Sequence, residues 1–194
     1  MMRIITGTAR GVRLASLEGV ATRPTAERVK EAIFSSIQFE IEGRSVLDLF
    51  GGSGQLGLEA LSRGAASAMF VDSSADAMAI IKENAKKTGF FTSSRFLISD
   101  YRSYLRKAAG RDGYHLIFLD PPYAEELIGD ALARILASGL AKPGCLIVCE
   151  SGSPDIFRGH EEIASRFEVV KSQRYGIAHV NILRLPVESE ASDS

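Results

Sequence analysis

An α/β fold with a mostly parallel, seven-stranded sheet is predicted by three features of this chain. Short apolar runs alternate with helical patterns between residues 45 and 150, as in parallel strands joined by helices. The runs are apolar at nearly every position, so we expect both faces of the sheet to be covered. The last two runs, residues 167–175 and 180–185, have no helix between them and predict an antiparallel hairpin that turns near Gly176.

The parallel strands and their helices are predicted in order along the chain. Strands are expected at residues 46–50, 68–71, 95–98, 114–119 and 145–149. Helices are expected at residues 55–63, from Ala75 to a stop at Gly89, around residues 104–105, and at residues 125–137.

The first 40 residues predict an N-terminal extension. Loose alternation over residues 1–20 indicates a short hairpin. The apolar residues that follow have helical spacing, and Thr25 is a suitable N-cap for that helix. We therefore divide the chain into the extension of hairpin and helix at residues 1–40, an α/β domain at residues 41–186 and an acidic, disordered tail at residues 187–194.

The charge balance limits how this chain can meet a polyanion. Its formal net charge is −1 over 194 residues, which excludes a global positive field for nucleic-acid binding. Residues 1–30 nevertheless hold six basic side chains against two acidic ones, so we expect a local contact with phosphate, with a solvated basic face as the alternative. The six are Arg3, Arg10, Arg13, Arg23, Arg28 and Lys30.

The cysteines and the apolar runs predict a cytoplasmic protein. Cys145 and Cys149 share one face of a predicted strand and lie too far apart for a disulfide, so we expect buried thiols in a reducing cytosol. The spacing of cysteines and histidines forms no zinc motif, and we expect no metal. No apolar run reaches the length that spans a membrane, and we expect no membrane contact.

Five acidic residues fall at or just past the ends of the predicted strands. They are Asp48, Asp72, Asp100, Asp120 and Glu150. In parallel sheets, ligands bind beyond the carboxyl ends of the strands. We therefore expect all five side chains along one edge of the sheet, with Asp48 and Asp120 close to one another.

A glycine-rich loop follows the first predicted strand and admits two interpretations. Residues 52–57 satisfy G-x-G-x-x-G and Asp72 lies 18 residues past Gly54, which is also the pattern of a dinucleotide-binding protein. Asp48 lies near where a pyrophosphate would sit, and its carboxylate would repel that dianion. The same carboxylate suits the sulfonium and ammonium groups of S-adenosylmethionine, which we expect as the cofactor.

The expected cofactor contacts follow the order of the strands. The loop glycines would let the backbone approach the methionine part of the cofactor. Asp72 would accept hydrogen bonds from the ribose hydroxyls, and Asp100 from the adenine amine, with Tyr101 beside the ring; each aspartate could instead be an ordinary helix N-cap. The full expected set is Asp48, Phe50, Gly51, Gly52, Gly54, Asp72, Ser73, Asp100, Tyr101 and Asp120.

The sequence Asp120-Pro121-Pro122-Tyr123 follows the fourth predicted strand. Proline has no N–H, so the carbonyls of Asp120 and Pro121 are free to accept hydrogen bonds. A base could stack on Tyr123 and donate both amine protons to Asp120 and the Pro121 carbonyl, which leaves its nitrogen pyramidal for in-line methyl transfer. Asp120, Pro121 and Tyr123 are thus the candidate catalytic residues, and the base must be single-stranded or extruded. A simple strand-to-helix turn is the alternative.

Several motifs resemble those of the bacterial 16S ribosomal RNA guanine-N2 methyltransferase D family. They are residues 48–54, 56–60 and 120–123, the block at residues 23–25 with residues 28–34, and the opening at residues 3–7 with residues 10–11. The resemblance implies a Rossmann-like, class I S-adenosylmethionine-dependent methyltransferase fold. It also implies that the target is the N2 amine of a guanine in 16S rRNA, the guanine at position 966.

The resemblance further implies how the substrate is held. Arg23, Thr25 and Arg28 would bind RNA or arrange the active site, and Arg10 and Tyr123 complete the expected substrate-binding set. Because the net charge is near zero, we expect the 16S rRNA to be presented within an assembled or assembling 30S particle. The protein is expected to be a monomer.

Three other functions stay open at this point. A DNA adenine-N6 methyltransferase would use the same Asp-Pro-Pro-Tyr chemistry, but this chain has no sizeable domain for reading DNA sequence. A small-molecule or protein methyltransferase is the second, although an Asn usually opens the motif in glutamine-modifying enzymes, where this chain has Asp120. The third is a protein that binds S-adenosylmethionine or NAD without turnover, against which the intact set of acceptors argues.

Overall fold

The computed structural model describes residues 2–17, 24–122 and 125–187. The strands in these ranges are β1 (Ser45–Asp48), β2 (Ser67–Asp72), β3 (Ser94–Ile98), β4 (Tyr114–Leu119), β5 (Ala141–Ser151), β6 (Glu168–Tyr175) and β7 (Ala178–Arg184). They form one sheet in the order β3-β2-β1-β4-β5-β7-β6. Strands β1 to β5 are parallel, and β7 is antiparallel to both β5 and β6. The predicted mixed sheet is confirmed.

The helices in the described residues are α1 (Pro24–Ser36), α2 (Gln55–Ser62), α3 (Ala75–Thr88), α4 (Tyr101–Ala108) and α5 (Glu125–Ser138). Helix α1 begins at Pro24, so the prediction that Thr25 is its N-cap is wrong. Proline suits the first helical position because its fixed φ matches a helix and its missing N–H would have no partner there. The sequence did not predict the short 3₁₀ segments at Gln38–Glu40, Phe91–Ser93 and Glu161–Arg166.

Strands β1 to β5 all end at one edge of the sheet, which we call the carboxyl edge. The turn between β6 and β7 lies at this edge too, because Ser151 near the end of β5 pairs with His179 near the start of β7. Strand β5 is longer than predicted, since Tyr114 also pairs with Ala141 ahead of an irregularity in the ladder.

Two cores cover the two faces of the sheet. The first core contains the buried residues of the N-terminal hairpin, α1, α2 and α3, and we call this side the hairpin face. The second core contains those of α4 and α5. Side chains alternate between them, as on β4, where Leu116 and Phe118 enter the first core and Ile117 and Leu119 enter the second.

The N-terminal hairpin is held by a single bridge between Arg3 and Arg13 and by backbone hydrogen bonds such as Ile4 N to Val12 O at 3.0 Å. Ile4 and Leu14 are buried in the same core as the sheet. The hairpin therefore packs directly onto the α/β unit.

Within the described ranges, no helix combines the length and the apolar character needed to cross a membrane.

Candidate active site at the carboxyl edge

A cavity of about 520 Å³ opens at the carboxyl edge, between the glycine loop and the N-terminal segment. Its polar groups come mainly from the ends of β1, β2 and β4. Its lining residues are Met2, Ser16, Leu17, Asp48, Phe50, Gly51, Gly52, Ser53, Gln55, Leu56, Asp72, Ser73, Ser74, Ala77, Asp120, Pro121 and Pro122.

A second cavity of about 250 Å³ adjoins the first. The two share Phe50, Asp72, Ser73 and Pro122 as lining residues. Asp100 and Tyr101 line the second cavity but not the larger one. The predicted cofactor residues, with the exception of Gly54, thus border one elongated, two-part site.

The glycine loop between β1 and α2 is fixed by its backbone. Gly51 N donates to Val71 O at 2.9 Å, and Gly54 has a positive φ of 78° at the N-cap of α2. A Cβ at Gly57 would lie 2.4 Å from Cε1 of Phe70, so only glycine lets α2 approach β2 this closely. The loop backbone can therefore serve as a wall of the larger cavity.

Asp48 lies at the end of β1 beneath this loop and is only 2% exposed. Its Oδ2 accepts a hydrogen bond from Gly57 N at 3.0 Å. Burial raises the pKa of Asp48 to about 8, the Gly57 bond opposes that rise, and the nearby carboxylates of Asp120 and Asp72 add to it. A positive charge in the cavity would reverse much of this cost.

Asp72 at the end of β2 is held by two backbone donors. Its Oδ2 accepts from Gly52 N at 2.8 Å, and its Oδ1 accepts from Ser74 N at 2.8 Å. The N-cap of α3 is Ser74, whose Oγ accepts from Ala77 N, so the alternative that Asp72 is the N-cap is wrong. Each carboxylate oxygen keeps a further lone pair for a ligand hydroxyl.

Asp100 is the N-cap of α4, and its Oδ1 accepts from Ser103 N at 3.0 Å. That bond holds the pKa of Asp100 below its ordinary value. The N-cap alternative therefore describes this residue, which also borders the second cavity. Beside it, the Tyr101 hydroxyl donates to Asp130 at 2.6 Å, and its ring lies 5.3 Å from that of Phe50.

Asp120 directly follows β4, and Glu150 lies in the last part of β5. Phe118 pairs with Val148, so these two acids occupy neighbouring positions two residues further along adjacent strands. Burial raises the pKa of both carboxyls, and that of Glu150 is raised further by Asp120. Within the described residues, neither side chain makes a hydrogen bond.

The structure places the expected substrate-binding residues less completely. Arg10 in the hairpin and Arg28 on α1 are exposed. Arg23 and Tyr123 lie outside the described residues, and of Thr25 only the helical backbone is described.

The predicted cluster of six basic side chains is smaller than expected. Arg3 Nε lies 2.8 Å from Glu27 Oε1. Lys30 is 3% exposed and lies 3.4 Å from Glu59, and burial lowers the pKa of Lys30 while Glu59 raises it. Lys30 is therefore an internal charge and not part of a phosphate-binding face.

Sequence reasoning missed the part that the N-terminal segment plays in this site. Met2, Ser16 and Leu17 line the larger cavity, and no sequence pattern indicates this. Asn84 on α3 was missed as well: it is fully buried, exchanges two hydrogen bonds with the backbone of Ala15 and donates to Ser53 O at 2.9 Å. A polar residue on the inward face of an apolar-periodic helix was the available signal.

The chemistry of the cavity fits S-adenosylmethionine better than a dinucleotide. A buried carboxylate, Asp48, lies beneath the glycine loop and has no cationic partner among the described residues. A sulfonium and an ammonium group would supply one, whereas a pyrophosphate would add negative charge. Asp72 and Phe50 line both cavities, so a hydrogen-bond acceptor for ribose hydroxyls and an aromatic ring for a base lie at their junction.

Comparison with known proteins gives a consistent result. The family model described as Conserved hypothetical protein 95 matches residues 2–184. The putative rRNA methyltransferase YlbH of Bacillus subtilis is 39% identical over 150 residues, covering 77% of this chain and 82% of that protein. Ribosomal RNA small subunit methyltransferase D of Escherichia coli K12 is 34% identical over 152 residues, covering 77% of this chain and 74% of that protein.

The chain belongs to the ribosomal RNA small subunit methyltransferase D family.

A solved structure extends the likeness to almost the whole fold. The putative methyltransferase yhhF from Escherichia coli superposes with a TM-score of 0.83 at 26% identity, over 96% of this chain and 99% of that one. The sheet and helices of this methyltransferase D family member are thus those of a class I S-adenosylmethionine-dependent methyltransferase. The predicted fold class and family are both confirmed.

Proposed function

We propose that this protein transfers a methyl group from S-adenosylmethionine to the exocyclic N2 amine of a guanine in 16S rRNA. The observation that carries the proposal is the position of Asp48 and Asp120. They end or follow adjacent strands, β1 and β4, and both line the larger cavity. One carboxylate is suited to a cationic methyl donor and the other to an amine acceptor, so the two reactants would meet between them.

The cofactor would lie along the two-part cavity. Asp48 and the backbone of Gly51, Gly52 and Gly54 would hold its methionine part, and Asp72 with Ser73 its ribose. Phe50, Asp100 and Tyr101 would hold its adenine in the second cavity. When bound, S-adenosylmethionine supplies a methyl group on a positively charged sulfur, which keeps the bonding electron pair as the methyl group leaves.

Asp120, Pro121 and Tyr123 would prepare the amine for attack. The Asp120 carboxylate and the Pro121 carbonyl would each accept one N–H, and the face of Tyr123 would support the base. The nitrogen lone pair then forms the new N–C bond, and the proton that nitrogen loses goes to Asp120. A carboxyl whose pKa is raised by burial is suited to take up that proton.

The residue 1–40 extension would meet the RNA, through Arg10, Arg23, Thr25 and Arg28. These contacts are few, so we propose that an assembled or assembling 30S particle supplies the remaining contact surface. Methylation of protein-free 16S rRNA can be compared with methylation of 30S particles from a strain that lacks the gene. Faster methylation of particles is expected, and equal rates would contradict the particle proposal.

The activity itself is tested with labelled S-adenosylmethionine and small-subunit RNA from the same strain. We expect labelled N2-methylguanosine after digestion to nucleosides, identified by mass spectrometry. Parallel incubations with DNA and with a protein extract address the DNA adenine and protein methyltransferase alternatives. Label in N6-methyladenine or in protein, with none in RNA, would refute the proposal, as would cofactor binding without transfer to any of them.

A further inference from the structure

Glu150 is a partly buried carboxyl beside the proposed amine site, and the mechanism above does not use it. It lies two residues past Val148 on β5, and Asp120 lies two residues past Phe118 on β4. Val148 and Phe118 pair with each other and both enter the first core, so Asp120 and Glu150 lie side by side on the hairpin face. Neighbouring strands are about 4.8 Å apart, so the two carboxyl groups can both reach one edge of the same base.

The order of the strands sets which ligand Glu150 can reach. Asp48 and Glu150 lie on β1 and β5, and Asp120 directly follows β4, which lies between those two strands in the sheet. Asp48 and Asp120 line the larger cavity, whereas Glu150 lies beyond Asp120 on the far side. A base whose amine is held at Asp120 and attacked from the β1 side can extend its ring toward β5, where Glu150 lies.

We propose that Glu150 accepts the N1–H of the target guanine and so selects guanine over other amine-bearing bases. This inference rests on the proposed function. In guanine the N1–H donor is the direct neighbour of the N2 amine, so two adjacent carboxylates match two adjacent donor groups. In adenine and cytosine the ring nitrogen beside the amine is an acceptor and offers no proton to the Glu150 carboxyl, whereas the guanine N1–H favours the ionised form of that carboxyl.

Replacing the target base tests whether Glu150 contacts guanine N1–H or only stabilises the structure of the site. 2-Aminopurine keeps the amine at C2 but lacks both the N1–H donor and the O6 acceptor of guanine. The loss of O6 is the same for every protein variant, so the part of the preference that changes with residue 150 reports the N1–H contact. The mapped target guanosine is replaced by 2-aminopurine riboside in reconstituted 30S particles, and methylation is measured under single-turnover conditions. For the unaltered protein we expect a preference for guanine of about 10- to 100-fold.

The Glu150→Gln variant supplies the second half of the test. Its carboxamide can accept from N1–H or donate to an unprotonated N1, so the preference should fall to within about threefold. Glu168→Gln, on β6 at the opposite edge of the sheet, is the matched control and should keep the original preference. If Glu150 had only a structural role, Glu150→Gln would lower the rates for the guanine and the 2-aminopurine particles equally, and their ratio would stay unchanged.

Binding provides a readout that does not need turnover. The fluorescence of 2-aminopurine rises when the base leaves its stack, so the affinity for the extruded base can be titrated directly. Glu150→Gln should bind the 2-aminopurine particle more tightly than the unaltered protein does.

The outcomes separate this inference from the proposed function. If the unaltered protein methylates no guanine N2, the proposed function fails and the inference fails with it. If it forms N2-methylguanosine but methylates 2-aminopurine equally fast, or if Glu150→Gln keeps the full preference, the role of Glu150 alone is overturned. The first of these two comparisons uses only the unaltered protein and is unaffected by how well the variant folds.

Discussion

Asp48 is almost fully buried, and among the described residues its hydrogen-bond donor is the backbone N–H of Gly57. Its pKa of about 8 means that the empty protein holds this carboxyl largely protonated at neutral pH. A cationic ligand favours the ionised form, so ligand binding must release the proton. Under the proposed function, this residue would link cofactor affinity to pH.

The affinity for S-adenosylmethionine should rise with pH. Between about pH 6 and pH 8 the dissociation constant should fall by up to about tenfold per pH unit, because a proton must leave Asp48 on binding. Isothermal titration calorimetry across this range measures the slope. In Asp48→Asn the affinity should be weaker and the slope much flatter; an unchanged slope would remove Asp48 from the cofactor site.

Asp48 should also make the stability of the ligand-free protein depend on pH. This stability should fall as pH rises, whereas the cofactor affinity rises. The folded-state pKa of about 8 lies above the ordinary value of 3.8, so between them the folded chain holds a proton that the unfolded chain has lost. The contribution of Asp48 to stability is therefore lost as pH rises through that window.

Asp48→Asn should thus unfold at a higher temperature than the unaltered protein, with a gain that grows up to about pH 8 and is then constant. Thermal unfolding in the absence of ligand measures this gain. A variant that is less stable at about pH 8 would contradict the assignment.

Among the secondary-structure elements, two polar residues attach the N-terminal segment to α2 and α3 and to the glycine loop. Asn84 on α3 joins Ala15 to Ser53 of the loop. Glu59 on α2 is fully buried and accepts from Ile5 N at 2.8 Å and from Thr6 N at 3.0 Å. The proposed RNA-contacting extension is thereby tied to the proposed cofactor site.

Asn84→Ala should weaken cofactor binding as well as stability. It leaves the backbone groups of Ala15 and Ser53 without their partner, which should cost about 2–3 kcal/mol in the free energy of unfolding and raise the cofactor dissociation constant about 3- to 10-fold. Urea unfolding and calorimetry measure the two effects. Lys87→Ala on the exposed side of α3 is the control, and if the two variants bind cofactor alike, the link to the loop is refuted.

Glu59→Gln should destabilise the fold strongly. The variant leaves Lys30, 3% exposed, without its counter-charge, and the expected cost is about 3–5 kcal/mol in urea unfolding. Glu83→Gln, in an exposed pair with Lys87, should change stability by less than about 0.5 kcal/mol. Adding Lys30→Met to Glu59→Gln should restore part of the lost free energy of unfolding. A double variant that is less stable than Glu59→Gln would contradict the role of Glu59 as the counter-charge of Lys30.

Element types were predictable from the sequence because apolar periodicity and glycine stops are local signals. The end of β2 at Asp72 and the stop of α3 at Gly89 follow from residues within a few positions. The first strand was predicted to continue to residue 50, but β1 ends at Asp48. The start of α1 was misplaced by two residues, because an N-cap at Thr25 would make Ala26 the first helical residue whereas α1 begins at Pro24; proline and threonine are both suitable near a helix N-terminus.

Contacts between distant segments were not predictable from the same signals. The pairing of Lys30 with Glu59 and of Asn84 with Ala15 joins residues that are 29 and 69 positions apart, and no local pattern encodes such partners. The placement of the five acidic residues at the carboxyl edge was predictable because the topology of a parallel sheet alone brings the strand ends together.

At the scale of the whole molecule, the site occupies one edge of the sheet and the charge is almost balanced, with a formal net charge of −1. Long-range attraction to a polyanion is therefore weak, and affinity for RNA must come from local contacts. Two of the six N-terminal basic side chains are engaged by Glu27 and Glu59. This distribution is the reason to expect a particle rather than protein-free RNA as the substrate.

The role of Asp120 in guanine methylation is tested by nucleoside mass spectrometry of small-subunit RNA treated with the unaltered protein or with Asp120→Asn. We expect N2-methylguanosine with the unaltered protein and at least about a 100-fold lower rate with Asp120→Asn, because the amine loses its proton acceptor. Calorimetry should show that Asp120→Asn still binds the cofactor. Full activity in Asp120→Asn, or a different methylated nucleoside, would contradict this role in guanine methylation.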